Sequence, residues 1–307
     1  MFYQCKECAK DFEKIQSLHK HLRAHSLSIK QYYLKYFPKK DLLTGEPIKF
    51  KHHESYLATD FANLYNYINW IKCQPKMVSN PYVLNKLKER VEDKNLSFLP
   101  SSLYFELSEL GNYEVFNYLF NDIDYLAAEL HLSPLYNKEL PEDFWSIEPD
   151  FPILVDTREQ LPIKFNNSIK QKLDFGDYTA SGIYYTKTFI DRKSENDFKG
   201  TFGRDIDRFK RELNRCKEFN SYMFVLVEST VNSVIMHNAG RYKCNLDYIW
   251  YNVRDLLSTY DNFQLIFAYN RAGVKKLIPK ILNYGERLWN VDVGHYLAKK
   301  INDTHNL

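Results

Sequence analysis

Hydrophobic positions recur at helical spacing through the middle of the chain and give way to strand-like runs in its second half. Leu64, Tyr67 and Ile68, then Val83, Leu84 and Leu87, then Val115, Phe116, Leu119 and Phe120 follow the three- and four-residue steps of one helix face. Residues 55–148 therefore read as mostly helical. Prolines 134, 141, 149 and 152 punctuate the next stretch and mark the best boundary. Beyond it, Ile153–Val155 and Tyr222–Val227 are apolar strand runs, and Phe263–Ala268 is a third. Tyr178–Thr186 and Lys187–Lys193 read as a hairpin around Ser181-Gly182. Asn196–Phe219 reads as one long helix, Leu246–Thr259 as another, and Ala272–Lys300 as mostly helix. Strands alternating with helices imply an α/β unit around one sheet. The expected organisation is a small module at 1–26, a mostly helical region at 27–148, and an α/β domain at 149–307.

Composition narrows this little: 44% hydrophobic and 26% charged residues are ordinary for a globular chain. Only 10 glycines leave little material for glycine-rich phosphate loops. No apolar run approaches a membrane span, and no apolar stretch follows Met1 as in a signal peptide. The expectation is an intracellular protein, nuclear in a eukaryote or in the host cytoplasm for a phage or bacterium, with no membrane partner. Residues 1–54 carry 11 Lys/Arg against 6 Asp/Glu, residues 55–150 carry 7 against 15, and residues 151–307 carry 24 against 18. Two basic ends flank an acidic middle. Such ends suit a polyanion and equally form solvated surface.

Five cysteines show no disulfide framework, but Cys5 and Cys8 stand in a chemical pattern. Twelve residues separate Cys8 from His21, and three separate His21 from His25. Two thiolates from a knuckle and two imidazoles a helical turn apart can close a tetrahedron around Zn²⁺. Phe12 and Leu18 stand where so small a unit needs its core, and metal binding would supply its folding free energy. Residues 3–25 thus resemble the Cys2His2 zinc-finger family. The resemblance implies DNA contacts from Lys14, Gln16, Ser17 and Lys20; the alternative is a lone finger that tethers or packs against protein.

A second constellation lies downstream. Asp156 ends the first strand in Val155-Asp156-Thr157-Arg158-Glu159. Asp177 heads a later strand in Gly176-Asp177-Tyr178, and Asp191-Arg192-Lys193 closes the next. Residues two apart on a strand share a side, so Asp191 and Lys193 face one site, where the Arg192 carbonyl can also reach. Phosphodiester cleavage needs carboxylates to hold Mg²⁺ or Mn²⁺ and a group to orient water.

In this order, Val-Asp-x-Arg-Glu, Gly-Asp-Tyr and Asp-Arg-Lys-x-x-x-Asp resemble the XPF/Mus-type structure-selective endonuclease domain over residues 151–270. That domain is a branch of the restriction-enzyme-like nucleases. The resemblance implies a restriction-endonuclease-like mixed sheet flanked by helices. It implies Asp177 and Asp191 as ligands of Mg²⁺ or Mn²⁺ and Lys193 as the water-orienting group. It also implies assistance from Asp156, support from Arg192 and an outer position for Asp197. Asp191 departs from the family's glutamate and has a shorter reach. Residues 271–307 lack the paired helix-hairpin-helix elements through which such enzymes dimerise, so a homodimer through the nuclease domain stays open.

The expected helix after the site carries Phe202, Ile206, Phe209 and Leu213 on one face. It carries Arg204, Arg208, Arg211 and Arg215 on the other, a row suited to phosphates or to the acids of the same helix. The resemblance puts Arg204 first among them. The reading is a metal-dependent DNA endonuclease acting on branched or flapped DNA in repair, recombination or replication. The alternatives are an inactive zinc-finger DNA-binding protein, a protein-binding adaptor, or a site-directed nuclease of a phage or mobile element. RNA stays open as a substrate.

Overall fold

A computed structural model describes residues 2–238 and 244–305 of the chain. These divide into two compact units, residues up to Tyr82 and residues from Val83.

The first unit opens with a short hairpin, β1 (Tyr3–Gln4) and β2 (Asp11–Phe12), followed by helix α1 (Ile15–His21) and a tight 3₁₀ turn over Leu22–His25. Helices α2 (Ile29–Tyr36), α3 (His53–Ala58) and α4 (Leu64–Cys73) follow. A reciprocal Ser28–Gln31 capping box starts α2. The hairpin and α1 do not close a core of their own. Cys5, Leu18 and Leu22 are buried in one cluster with Tyr32 and Tyr33 of α2, Ile48, and Tyr56 of α3. The Tyr32 hydroxyl accepts from the Lys6 amide at 2.9 Å, and Lys35 pairs with Glu7 at 2.7 Å. Such side chains supply the apolar burial that about 25 residues cannot provide for themselves.

Helix α5 (Lys76–Lys94) leads into the second unit. There β3 (Phe98–Leu99), α6 (Ser102–Leu107), α7 (Tyr113–Phe120), α8 (Ile123–Glu129) and β4 (Ser133–Pro134) form a helical section closed by the β3–β4 pair. The sheet domain follows: β5 (Ile153–Val155), β6 (Ser168–Lys170), β7 (Tyr178–Ala180), β8 (Thr188–Lys193), α9 (Glu195–Phe202), α10 (Ile206–Glu218), β9 (Tyr222–Val227), α11 (Val231–Met236), α12 (Leu246–Thr259), β10 (Phe263–Phe267), α13 (Arg271–Tyr284) and α14 (Val293–His305).

The sheet has six strands in the order β10-β9-β8-β7-β5-β6. Pairing is parallel from β8 to β10 and between β5 and β6, and antiparallel where β7 meets β5 and β8. Helices α9, α10 and α12 lie against one face, and α13 against the other. Every residue of β9 is buried, as a central strand covered on both faces requires. This is a mixed six-stranded sheet flanked by helices on both faces, the architecture expected from the sequence.

Two expected elements differ. The hairpin's first strand ends at Ala180, because Gly182 at φ +61° turns the chain out into a loop. Gly182–Tyr184 forms a short 3₁₀ turn outside the sheet, with Ile183 93% exposed. The long helix is broken at Gly203, where a Cβ would stand 2.6 Å from the Lys199 carbonyl oxygen. Arg204 therefore sits in the break between α9 and α10 rather than on a helix face. Edge strand β6, with all three residues exposed, carries no apolar alternation from which it could be read.

Candidate nuclease site and metal centre

The edge where β7 meets β8 gathers the acidic residues. Gly176 takes φ +56°, and a Cβ there would lie 2.7 Å from the Ile190 carbonyl oxygen, so only glycine allows this approach. The close approach lets the Asp177 amide donate to that carbonyl at 2.7 Å. The antiparallel register pairs Tyr178 with Ile190 and sets Asp177 beside Asp191. One Asp177 oxygen accepts from the Arg192 amide at 2.7 Å. Lys193, two residues past Asp191, brings its Nζ to 2.6 Å from an Asp191 oxygen. Burial, then the charge of Asp191, pushes the Asp177 carboxyl up to about 8. The Lys193 ammonium is held above its usual range by Asp191 against the opposing effect of burial. It therefore stays protonated at neutral pH. Crowding and burial disfavour two carboxylate charges side by side, and a divalent cation would relieve that cost and favour the ionised form of both.

The opposite side of β8 holds a different network. Arg192 is buried between Glu159, at 3.0 Å, and Glu228, at 3.1 Å. Glu228 also takes a bond from Arg271 of α13 at 2.9 Å, and Arg271 reaches the Leu161 carbonyl. The strand alternation accounts for the separation: Asp191 and Lys193 point to the α10 side, Arg192 to the α13 side. Arg192 Nε has no partner among the described residues.

Asp156 is 2% exposed and fully engaged. It accepts from the Arg158 amide at 2.6 Å, from Arg158 Nε at 2.8 Å and Nη2 at 2.9 Å, and from the Leu173 amide at 2.7 Å. Its own amide donates to the Asp177 carbonyl at 2.8 Å, so it ties the end of β5 to the site. Asp197 lies at the start of α9, where Ser194 caps the helix and donates to it at 2.6 Å.

Sequence reasoning assigns no role to Glu159 or Arg271, and reads Glu212 only as a partner for arginines along the helix. Glu212 instead reaches back to the Gly176 amide at 3.4 Å, and its charge acts on Lys193. Arg208, Arg211 and Arg215 are exposed on α10 and Arg204 on the preceding turn, opposite the buried Ile206, Phe209 and Leu213. Arg215 lies over the Phe175 ring at 5.4 Å, and Arg204 has only a 3.4 Å contact with Asp205.

In the first unit, Cys5, Cys8, His21 and His25 converge, their ligand atoms all within 4.8 Å of one another. His21 Nε2 lies 3.2 Å from Cys8 Sγ and 3.1 Å from His25 Nε2. A tetrahedral zinc with bonds of about 2.0–2.3 Å spaces its ligand atoms about 3.3–3.8 Å apart, so small shifts of these side chains bring the donor set to that geometry. Two facing imidazole nitrogens need a cation or a shared proton between them. Lys14, Gln16, Ser17 and Lys20 are exposed on and just before α1. His19 is drawn away instead, to the Tyr33 hydroxyl at 3.1 Å.

Among the described residues, no helix is long and apolar enough to cross a membrane. No protein-family model and no curated protein matches the sequence. Among solved structures the chain is similar to XPF from Aeropyrum pernix, at 21% identity and TM-score 0.34, over 45% of this chain and 69% of that one. It is likewise similar to the same protein in complex with DNA, at 20% identity and TM-score 0.33, over 44% and 64%. At that level of superposition the likeness carries no functional argument, and function has to be argued from the geometry of the two centres.

Proposed function

We propose that this chain is a divalent-metal-dependent DNA endonuclease that cuts branched or flapped DNA in repair, recombination or replication. The observation that carries the reading is the placement of the Asp177 and Asp191 carboxylates beside each other, with Lys193, where the central strands β7 and β8 meet. Asp177 and Asp191 would hold Mg²⁺ or Mn²⁺, which supplies Lewis-acid stabilisation of the charge building on the phosphoryl oxygens.

The chain's own residues have separable tasks. Lys193, protonated and within reach of Asp191, orients the attacking water and offsets negative charge. It does not serve as the base in its charged form. Arg192, clamped by Glu159 and Glu228, fixes the end of β8 so that its amide keeps Asp177 in place. Asp156, its acceptor capacity filled by Arg158 and Leu173, braces the turn between β5 and the site.

Arg204, Arg208, Arg211 and Arg215 face solvent and take the phosphate backbone. In the first unit Cys5, Cys8, His21 and His25 hold structural Zn²⁺, and Lys14, Gln16, Ser17 and Lys20 contact DNA. One finger covers about three base pairs, so it recruits DNA rather than choosing a long site.

The test is cleavage of labelled duplex, flap, fork and four-way-junction DNA with Mg²⁺ or Mn²⁺, comparing wild type with Asp177→Asn, Asp191→Ala and Lys193→Ala. Metal-dependent cutting that each substitution abolishes supports the reading. Tight DNA binding by the wild type without cutting of any substrate defeats it and leaves a binding protein.

A further inference from the structure

Helix α12 presents two tyrosines that the core does not use. Tyr248 is 47% and Tyr251 is 56% exposed, one helical turn apart. Their neighbours Ile249, Trp250 and Val253 are buried, so the helix cannot rotate to hide them. Among the described residues neither hydroxyl has a hydrogen-bond partner. A pair of rings standing in solvent at helical spacing offers two π-faces to a flat ligand.

Their surroundings say what kind of ligand. Asn252 donates to the Phe202 carbonyl at 2.8 Å, and Ile249 lies against Gly203. Both contacts place α12 directly beside the turn that carries Arg204. Asp255, between the two tyrosines around the helix, pairs with Lys210 of α10 at 2.7 Å. The tyrosines thus flank the seam between α12 and α10. On α10 the exposed Arg208 and Arg211 have no ion pair among the described residues. Further around the same helix, Glu212 turns back toward Gly176 and the carboxylate site. The surface therefore runs from the Asp177–Asp191 edge, over guanidinium groups suited to phosphates, to two aromatic faces suited to bases.

We infer that Tyr248 and Tyr251 form a stacking platform for unpaired nucleotides of a DNA strand whose backbone is held by Arg204, Arg208 and Arg211. This rests on the nuclease reading and sharpens it: the substrate must present a single-stranded segment next to the scissile bond. Duplex DNA offers no free base faces and gains nothing from the platform, whereas unpaired bases stack on aromatic rings whatever their sequence.

The experiment is fluorescence anisotropy of the zinc-loaded full chain, without catalytic metal, on a labelled oligo(dT) strand and on a blunt duplex. The chain is compared with Tyr248→Ala/Tyr251→Ala and with Tyr248→Phe/Tyr251→Phe. Removing both rings should weaken oligo(dT) binding by about tenfold or more, the size base–aromatic stacking has on substitution by alanine. Duplex binding should hold, and the phenylalanine pair should bind as wild type.

A parallel readout is ultraviolet crosslinking of 5-iodouracil-substituted strand, with the adduct expected on Tyr248 or Tyr251. Equal oligo(dT) binding by the alanine pair, equal loss on both DNAs, or crosslinks only elsewhere would overturn the inference. So would a wild-type dimer that the alanine pair dissolves, since the rings would then pack against a second copy. The two readings fail separately. Cutting that depends on Asp191 without ring-dependent strand binding sinks the platform alone. Ring-dependent strand binding with no cutting sinks the nuclease alone.

Discussion

Arg192→Met tests whether the residue beside the carboxylates is a buried brace or a contact for DNA. The Arg192 side chain is 7% exposed and spans Glu159 and Glu228, themselves 7% and 13% exposed. Methionine fills most of the volume and removes the charge. Glu228 keeps its 2.9 Å bond to Arg271. Glu159 retains only the Leu161 amide, at 2.7 Å, so one buried carboxylate loses its counter-charge. Breaking a buried pair from one side costs about 3–5 kcal/mol. For a unit of this size each kcal/mol moves the midpoint by roughly 2–4 °C, so the transition should fall by about 10 °C. Adding Glu159→Gln removes the stranded charge and should return most of that loss, because a buried pair contributes little net stability over a neutral replacement. Thermal unfolding followed by circular dichroism gives the midpoints, and cleavage assayed well below the lowest transition gives the activity. If Arg192→Met melts with the wild type yet has lost all cleavage, the guanidinium acts on substrate and the brace is refuted. If the double variant is less stable than Arg192→Met, the proposed charge pairing is wrong.

Two further outcomes concern other centres. Burial and the nearby Asp292 push the Glu106 carboxyl from 4.5 up to about 7, so the fold favours its protonated form. Its contribution to stability should therefore be full below 4.5 and fall as pH rises toward 7, by about 3 kcal/mol at most. Glu106→Gln should flatten this part of the midpoint-against-pH profile, and an unchanged slope would count against it. Removing zinc with a chelator should unfold more than the hairpin and α1, because Cys5, Leu18 and Leu22 share a core with Tyr32, Tyr33 and Tyr56. Amide hydrogen exchange should show α2 and α3 losing protection together with α1, and intact protection of α2 would mean that the finger is an independent bead.

The grouping of the candidate residues is more legible in the sequence than the packing that holds it, and the reason is local geometry. Cys5, Cys8, His21 and His25 declare themselves because a zinc tetrahedron depends on short spacings along the chain. Asp191 and Lys193 do so because a strand alternates its sides every residue. The partner of Arg192 cannot be read this way. Glu159 lies 33 positions away in sequence and meets it only after β5, β7 and β8 have paired. Glu212 follows the same logic. Helical spacing places it among arginines, whereas the fold turns α10 so that this position faces the Gly176 approach. Periodicity also misplaces Arg204, because it does not register that Gly203 is too close to the Lys199 carbonyl to carry a side chain.

That break has a consequence for how the site meets DNA. A continuous helix would carry Arg204 in line with Arg208, Arg211 and Arg215, a straight row that can follow one backbone. The break lifts Arg204 off that line and seats its turn on α12, fixed by the Asn252 bond to Phe202. Arg204 thus sits on a turn held against α12, apart from the α10 row. A strand bound by Arg204 as well as by the α10 arginines would have to bend as it passed the break. Rigid duplex resists so local a turn, its persistence length being about 150 base pairs, while an unpaired strand bends freely. The glycine that spoils the helix is therefore the feature that would let the same surface accept duplex along the arginines and an unpaired strand at its end.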